Sequence, residues 1–98
     1  MIPLFRPSYD EQELDALRGV FDSHWLGLGP RTAEFEEKLA EYLRVKYVVA
    51  LNSATAALHL ALAALDVKKG DEVIVPSLTF ISPAHAVMYC NATPVFVD

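Results

Sequence analysis

The segment Leu51-Asn52-Ser53-Ala54-Thr55-Ala56 places hydroxyl-bearing and small residues where a short apolar run passes into an alanine-rich stretch. Unpaired backbone N–H groups and the positive end of the helix dipole make such a helix start suitable for an anion. The small residues let a phosphate approach the backbone, and the hydroxyls of Ser53 and Thr55 can donate further hydrogen bonds. The same residues also form ordinary helix caps, so spacing alone leaves both interpretations open.

Two familiar phosphate-binding motifs are absent from this segment. A nucleotide P-loop needs a Gly-Lys-Ser or Gly-Lys-Thr triplet and a dinucleotide fingerprint needs paired glycines, and neither occurs around Ser53. No spacing of His, Cys and carboxylate residues suggests a metal site either. We therefore expect no bound metal here.

Phe80 is a second candidate, because it follows the next predicted strand along the chain. In open α/β sheets, ligands bind beyond the carboxyl ends of the strands. Phe80 and Thr55 would then face one crevice, with a phosphate beside Thr55 and a flat ring against Phe80. A phenylalanine of the core is the alternative.

The remaining reactive side chains are weaker candidates for functional residues. His59 falls on an apolar helical segment, where we expect a buried, hydrogen-bonded histidine, and spacing identifies no partner for His85. Cys90 is expected to be a small buried hydrophobic residue. Trp25, in the glycine-containing loop 23–30, would be an interface anchor or a plug of its own loop.

Composition narrows the class of protein. A chain of 98 residues forms one domain at most, and 21% charged with 53% apolar residues excludes intrinsic disorder. A net charge of −5 argues against a nucleic-acid binder with a basic surface. The lone Cys90 cannot form an internal disulfide, and residues 1–6 lack the features of a signal peptide. We expect a cytoplasmic protein.

Two stretches without charge, 47–65 and 73–97, raise the question of a membrane span. Both contain polar residues or prolines spaced as in strand–turn–helix units, so we expect no membrane partner. The second half of the chain is so apolar that its surface must be buried against more protein. We therefore expect this chain to be a piece of a longer α/β protein.

Periodicity predicts helices and strands in a definite order. Ser8-Tyr9-Asp10-Glu11 fits a capping box and predicts a helix over about 9–22, and a second helix is expected over about 31–44. Buried strands are predicted at 47–51, 72–75 and 94–97. Two helices separate these strands, over about 54–65 and 82–90. This alternation predicts a parallel sheet with helices on both faces.

Four blocks together resemble the DegT-type sugar aminotransferases. Ala50-Leu51-Asn52-Ser53-Ala54-Thr55-Ala56-Ala57-Leu58-His59 is similar to the family's phosphate-binding segment, and Gly70-Asp71-Glu72-Val73-Ile74-Val75-Pro76-Ser77-Leu78-Thr79-Phe80 is similar to its next signature. Ala92-Thr93-Pro94-Val95-Phe96-Val97-Asp98 resembles the signature after that. Trp25-Leu26-Gly27-Leu28-Gly29-Pro30 matches the family's N-terminal region. The blocks occur in the family's order and spacing.

The resemblance implies an α/β fold of the aspartate aminotransferase class. Residues 1–98 would be the N-terminal part of its large domain, which binds pyridoxal 5′-phosphate (PLP). Within that part, 1–45 would form the N-terminal helical segment and 46–98 the first βαβαβ portion of the α/β core.

The resemblance also implies an activity and site residues. These enzymes use PLP to move an amino group, commonly from glutamate or glutamine, to a nucleotide-linked keto sugar, in polysaccharide or secondary-metabolite sugar biosynthesis. By position, Ser53, Ala54, Thr55 and Ala56 would surround the cofactor phosphate. Phe80 would stack on the pyridine ring.

A partner subunit is implied as well. Trp25, Gly27, Leu28 and Gly29 would lie near the mouth of the site or the subunit interface, because family sites are built between two subunits. We therefore expect a homodimer with shared active sites.

The chain departs from the family's pattern at two positions and leaves alternatives open. Many relatives have Gly where Ala54 stands, and a small polar residue where Pro83 stands. The family's catalytic lysine would lie after residue 98, so no catalytic residue is expected in this segment. A histidine at the lysine position would indicate a PLP-dependent sugar dehydratase instead. A non-catalytic, truncated module that binds phosphate or self-associates is the third alternative.

Overall fold

A computed structural model describes residues 5–98, and the chain divides into two units, one ending at Val49 and the other beginning at Ala50. The first unit is helical, with α1 at Glu11–Asp22 and α2 at Pro30–Leu43. The second unit contains α3 at Ala54–Ala64, β1 at Glu72–Pro76, α4 at Ser82–Tyr89 and β2 at Thr93–Val97.

The capping box of α1 lies two residues later than the sequence predicts. Asp10, rather than Ser8, caps the helix: its Oδ1 accepts a hydrogen bond from Gln12 N at 2.8 Å. Glu13 Oε2 in turn accepts one from Asp10 N at 2.7 Å. Ser8 with Glu11 and Asp10 with Glu13 both have the three-residue spacing of a capping box. Asp10 also brings a full negative charge to the positive end of the helix dipole.

α2 begins and ends as its sequence favours. Pro30 occupies the first turn, where its missing N–H costs nothing, and Gly29 is the extended residue before it. The helix ends at Arg44, which adopts the left-handed conformation with φ 55°. The expected range, 31–44, is therefore confirmed to within one residue.

The second unit is built on two parallel strands. β1 pairs with β2 in the register Val73 with Pro94 and Val75 with Phe96. Val75, Val87 and Ala92 form its buried core, with Leu62, Val67 and Val73 packed against them. Gly70 (φ 100°) and Asn91 (φ 57°) turn the chain into β1 and β2, as expected for these residue types.

Two expectations about the sheet are wrong for the described residues. The run 47–51 forms no strand, and the sheet consists of β1 and β2. A strand needs a neighbouring strand to share its backbone hydrogen bonds, and the sheet described for residues 5–98 pairs β1 with β2 alone. Within the second unit, α3 and α4 also leave one face of the sheet uncovered, because Ile74 is 71% exposed while the adjacent Val75 is 5% exposed.

Candidate functional site

The start of α3 presents backbone donors to solvent. Ser53 caps the helix, and its Oγ accepts a hydrogen bond from Ala56 N at 3.2 Å. The Ser53 carbonyl accepts one from Ala57 N at 3.1 Å. The N–H groups of Ala54 and Thr55 have no acceptor among residues 5–98. They remain available to a ligand, as the first N–H groups of a helix are when no cap takes them.

The local sequence keeps this helix start open and without charge. Ser53 adopts an extended conformation, with φ −164° and ψ 155°, so the helix begins abruptly after it. The alanines that follow are strong helix formers and add only a methyl group each. The first turn carries no acidic residue. An anion placed there would meet the positive end of the dipole without a competing carboxylate on α3.

A hydrogen bond between two hydroxyls connects the start of α3 to the start of α4. Thr55 Oγ1 and Ser82 Oγ lie 2.8 Å apart, although 27 residues separate them in the sequence. Ser82 is buried, with 8% of its surface exposed. Ser82 is not among the site residues expected from the sequence. Its position directly before Pro83 indicated only the start of a helix.

Phe80 lies in the loop that leads from β1 to Ser82. Its side chain is 76% exposed, so it is not a core residue of this unit. Because Ser82 bonds to Thr55, the structure brings this loop to the start of α3. A flat ring held there would lie between a helix start that favours anions and an aromatic surface.

The base of the same loop is fixed to the end of β2. Ser77 N donates a hydrogen bond to the Val97 carbonyl at 2.8 Å. Ser77 Oγ donates another to Asp98 Oδ1 at 2.5 Å. The loop from β1 to α4 is therefore anchored at one end by Ser77 and at the other by Ser82.

The predicted substrate or interface loop lies in the first unit. Trp25 Nε1 donates a hydrogen bond to the Leu28 carbonyl at 2.8 Å. The indole ring also lies against Gly29, so Trp25 closes its own loop. Leu28 remains 79% exposed, and the space around Gly27 is open. A cavity of about 690 Å³ borders this loop within the unit, lined in part by Trp25, Gly27 and Gly29.

The histidine and cysteine expectations need correction. His59 is only half-buried, and its ring packs edge-on against Tyr89, with centroids 5.3 Å apart. His85 lies 6.0 Å from the same ring. Cys90 is also only partly buried. These residues lie on α3 and α4 or just after them, in a unit that has few fully buried residues to surround them.

No group of His, Cys, Asp or Glu side chains in the described part of the chain has the arrangement of a metal site. Across residues 5–98, no helix combines the length and apolar character that a membrane crossing requires.

Comparison with known sequences gives a consistent result. The pattern of the DegT/DnrJ/EryC1/StrS aminotransferase family matches residues 7–98. The dTDP-4-dehydro-2,3,6-trideoxy-D-glucose 4-aminotransferase of Saccharopolyspora spinosa is 48% identical, over 100% of this chain and 26% of its own length. The chain thus spans about a quarter of the curated relatives it matches.

Solved structures agree with the fold. A Streptococcus pneumoniae protein described as a sugar aminotransferase, solved in PLP and PMP forms, superposes with a TM-score of 0.92 at 42% identity. In the PLP form, the match covers 99% of this chain and 25% of that one. A GDP-4-keto-6-deoxymannose-3-dehydratase superposes with a TM-score of 0.90 at 30% identity, covering 98% and 26%.

These matches confirm the fold class expected from the sequence. The described helices and strands correspond to the N-terminal quarter of the PLP aminotransferase fold. The family resemblance of the four sequence blocks is confirmed as well, over almost the whole chain. The chain belongs to the DegT/DnrJ/EryC1/StrS aminotransferase family.

Proposed function

We propose that the protein carrying this chain is a PLP-dependent aminotransferase that moves an amino group from glutamate to a nucleotide-linked keto sugar. Glutamate becomes 2-oxoglutarate and the keto group becomes an amino group. The product would serve the biosynthesis of cell-surface polysaccharides or of secondary metabolites. Relatives named as nucleotide-sugar enzymes support this proposal at 43–48% identity, and they include a dTDP-sugar 4-aminotransferase, a UDP-sugar aminotransferase and two GDP-perosamine synthases.

One structural observation carries the proposal: the bond between Thr55 and Ser82 holds the start of α3 beside the loop of Phe80. A helix start that favours anions and an exposed aromatic side chain suit the two ends of a phosphorylated aromatic cofactor. Ser53, Ala54, Thr55 and Ala56 would surround the phosphate, and Phe80 would stack on the ring.

The donor set at α3 fits the phosphate group of PLP. The N–H groups of Ala54 and Thr55, which have no acceptor among residues 5–98, lie beside the hydroxyl of Thr55 and that of Ser53, which donates to Asn52 Oδ1 at 3.2 Å. Alanine side chains leave the approach to the backbone open, and no carboxylate of the first turn opposes a dianion. When bound, PLP supplies the electron sink through which an amino group is transferred.

Phe80 would position the ring rather than take part in proton transfer. An aromatic side chain stacked on the pyridine ring adds contact area and excludes water from one face. Ser77 and Ser82 hold the two ends of its loop. The loop that carries Phe80 is thus tied by hydrogen bonds near both of its ends, which supports this role.

The loop of Trp25, Gly27, Leu28 and Gly29 would lie at the mouth of the site or at a subunit interface of a cytoplasmic homodimer. Two observations support an exposed contact role. Leu26 and Leu28 are 72% and 79% exposed, while Trp25 holds the loop by its bond to the Leu28 carbonyl. Apolar side chains presented on a rigid loop favour burial against a partner.

Sugar dehydration on the same scaffold is the second candidate. The dehydratase match shows that this N-terminal architecture also occurs in an enzyme of that name. Its 30% identity is lower than the 48% shared with the Saccharopolyspora spinosa aminotransferase, which favours transamination. The two activities differ in whether nitrogen enters the sugar.

A nitrogen-tracing experiment tests the proposal. The whole protein that carries this chain is incubated with PLP, ¹⁵N-glutamate and a panel of dTDP-, UDP- and GDP-linked keto sugars, and the products are analysed by mass spectrometry. We expect a ¹⁵N-labelled amino sugar with an equal amount of 2-oxoglutarate. A deoxygenated sugar without label would support the dehydratase and contradict the aminotransferase proposal. Reactions without PLP provide the control.

A further inference from the structure

We propose that Ser82 is a positioning residue, whose buried hydroxyl directs the O–H of Thr55 toward the phosphate at the start of α3. The inference rests on the proposed function and deepens it. Ser82 itself does not touch the ligand in this account. It acts through the 2.8 Å hydrogen bond between Ser82 Oγ and Thr55 Oγ1.

Burial makes this hydrogen bond costly to lose. Ser82 is 8% exposed, and Thr55 Oγ1 is the partner that residues 5–98 give its hydroxyl. A buried hydroxyl without a partner costs free energy, and buried polar groups are almost always bonded. Thr55 is therefore the residue on which the Ser82 hydroxyl depends for its hydrogen bond.

Thr55 can donate a hydrogen bond to an anion only if its hydroxyl proton is not already donated to Ser82. Each hydroxyl has one donor proton and two acceptor lone pairs. If Thr55 donates to Ser82, it turns only lone pairs toward the anion, which repels them. If Ser82 donates to Thr55, the proton of Thr55 is free to point at the anion. A phosphate at the start of α3 selects the second arrangement.

The Thr55 hydroxyl takes its direction from Ser82 rather than from its own helix. α3 begins at Ala54 after the extended Ser53, so the residue four positions before Thr55 is not helical and its carbonyl is not aligned with the helix. Ser82 holds Thr55 Oγ1 on the side of the α4 start instead. Without Ser82, the Thr55 hydroxyl would be free to turn away from the ligand.

The test compares two ligands that differ only in the phosphate. Apo whole protein is titrated with pyridoxamine 5′-phosphate and with pyridoxamine, neither of which carries the aldehyde that bonds to lysine. We expect Ser82→Ala to weaken pyridoxamine 5′-phosphate binding by about three- to tenfold and to leave pyridoxamine binding unchanged. Thr55→Val should show the same pattern, and the double variant should be no weaker than Thr55→Val alone.

Several results would overturn the inference. One is a Ser82→Ala protein that binds each ligand as tightly as the wild type does. Another is a Ser82→Ala protein whose affinity falls equally for both ligands, which would indicate a merely structural role. An additive effect in the double variant would show that Ser82 does not act through Thr55. If the wild type binds neither ligand, the proposed function itself fails. Because Thr55→Val removes the acceptor from the more exposed partner, it keeps the test valid should Ser82→Ala not fold.

Discussion

The indole ring of Trp25 lies so close over Gly29 that a Cβ atom at position 29 would clash with Trp25 Nε1. The same nitrogen donates its hydrogen bond to the Leu28 carbonyl at 2.8 Å. Ring, carbonyl and glycine therefore form one local structure at the start of α2. A side chain at position 29 must displace the ring, so glycine is the residue that fits there without rearrangement.

Gly29→Ala is expected to destabilise the protein by about 1–3 kcal/mol, because the added methyl group forces the indole out of place. Gly27→Ala is the matched control, since a Cβ atom at position 27 meets nothing within 4 Å. We expect that change to fall within about 0.5 kcal/mol. Denaturant unfolding of both variants checks this, and equal stability of the two would contradict the packing described here.

Ser53→Asp and Ser53→Asn separate helix capping from phosphate binding. Asp and Asn cap helices about as well as Ser, so both variants should keep the wild-type unfolding free energy to within about 0.5 kcal/mol. Only Asp adds a negative charge beside the phosphate, and like charges repel. We expect pyridoxamine 5′-phosphate to bind Ser53→Asp at least about tenfold more weakly than Ser53→Asn. Equal affinities would place the phosphate elsewhere.

Phe80→Leu tests the stacking surface. Leucine keeps apolar bulk but removes the aromatic face, so affinity for both pyridoxamine 5′-phosphate and pyridoxamine should fall by about three- to tenfold. This differs from Ser82→Ala, which should affect the phosphorylated ligand alone. Leu78→Ala, in the same loop and 97% exposed, is the control expected to change neither affinity. A Phe80→Leu protein with unchanged affinities would remove Phe80 from the site.

Asp10→Ala and Ser8→Ala test which residue caps α1. Removing the Asp10 carboxylate leaves the N–H of Gln12 without its partner, and we expect a loss of about 0.5–2 kcal/mol. Ser8→Ala should cost nothing measurable in thermal unfolding. The reverse ranking would restore the capping box at Ser8 that the sequence suggested.

The pH dependence of Glu34 tests its ion pairs with Lys38 and Arg31. Hydrogen bonds from Lys38 Nζ at 2.7 Å and Arg31 Nη1 at 3.1 Å hold the pKa of Glu34 below its ordinary value of 4.5. A lowered folded pKa means that the stabilisation is present above pH 4.5 and is lost as the pH falls through the folded pKa.

Lys38→Gln should therefore raise the pKa of Glu34 toward 4.5, as measured by the NMR titration of its carboxyl carbon. Lys38 is the larger cause of the shift, so Arg31→Gln should raise the pKa less. Added salt should weaken the effect in the wild type, because both partners are exposed. A Glu34 pKa that is the same in Lys38→Gln and the wild type would contradict these ion pairs.

Much of the fold could be predicted because it depends on local signals. The alanines after Ser53 and the proline at position 30 place helix starts by themselves. The run 47–51 was wrongly predicted as a strand, because a strand depends on a neighbour that the same segment does not encode. The cap of α1 was misplaced because two overlapping pairs, beginning at Ser8 and Asp10, both satisfy one rule.

The candidate site likewise has one part that the sequence shows and one part that only the structure shows. The cap at Ser53 lies within one turn of the chain, so the sequence shows it directly. The exposure of Phe80 and the bond from Thr55 to Ser82 arise only when α3 and α4 come together, 27 residues apart in the sequence. No spacing rule connects two single hydroxyls at that distance. Ser82 could be recognised only from the structure.

The proposed function assigns these residues to the phosphate and ring wall of a PLP aminotransferase. Reduction of the whole protein with borohydride in the presence of PLP, followed by intact mass measurement, tests this assignment. We expect one phosphopyridoxyl group fixed to a lysine in each chain, and a smaller fraction of modified protein in Ser53→Asp than in Ser53→Asn. A protein that stays unmodified after reduction would contradict the aminotransferase assignment.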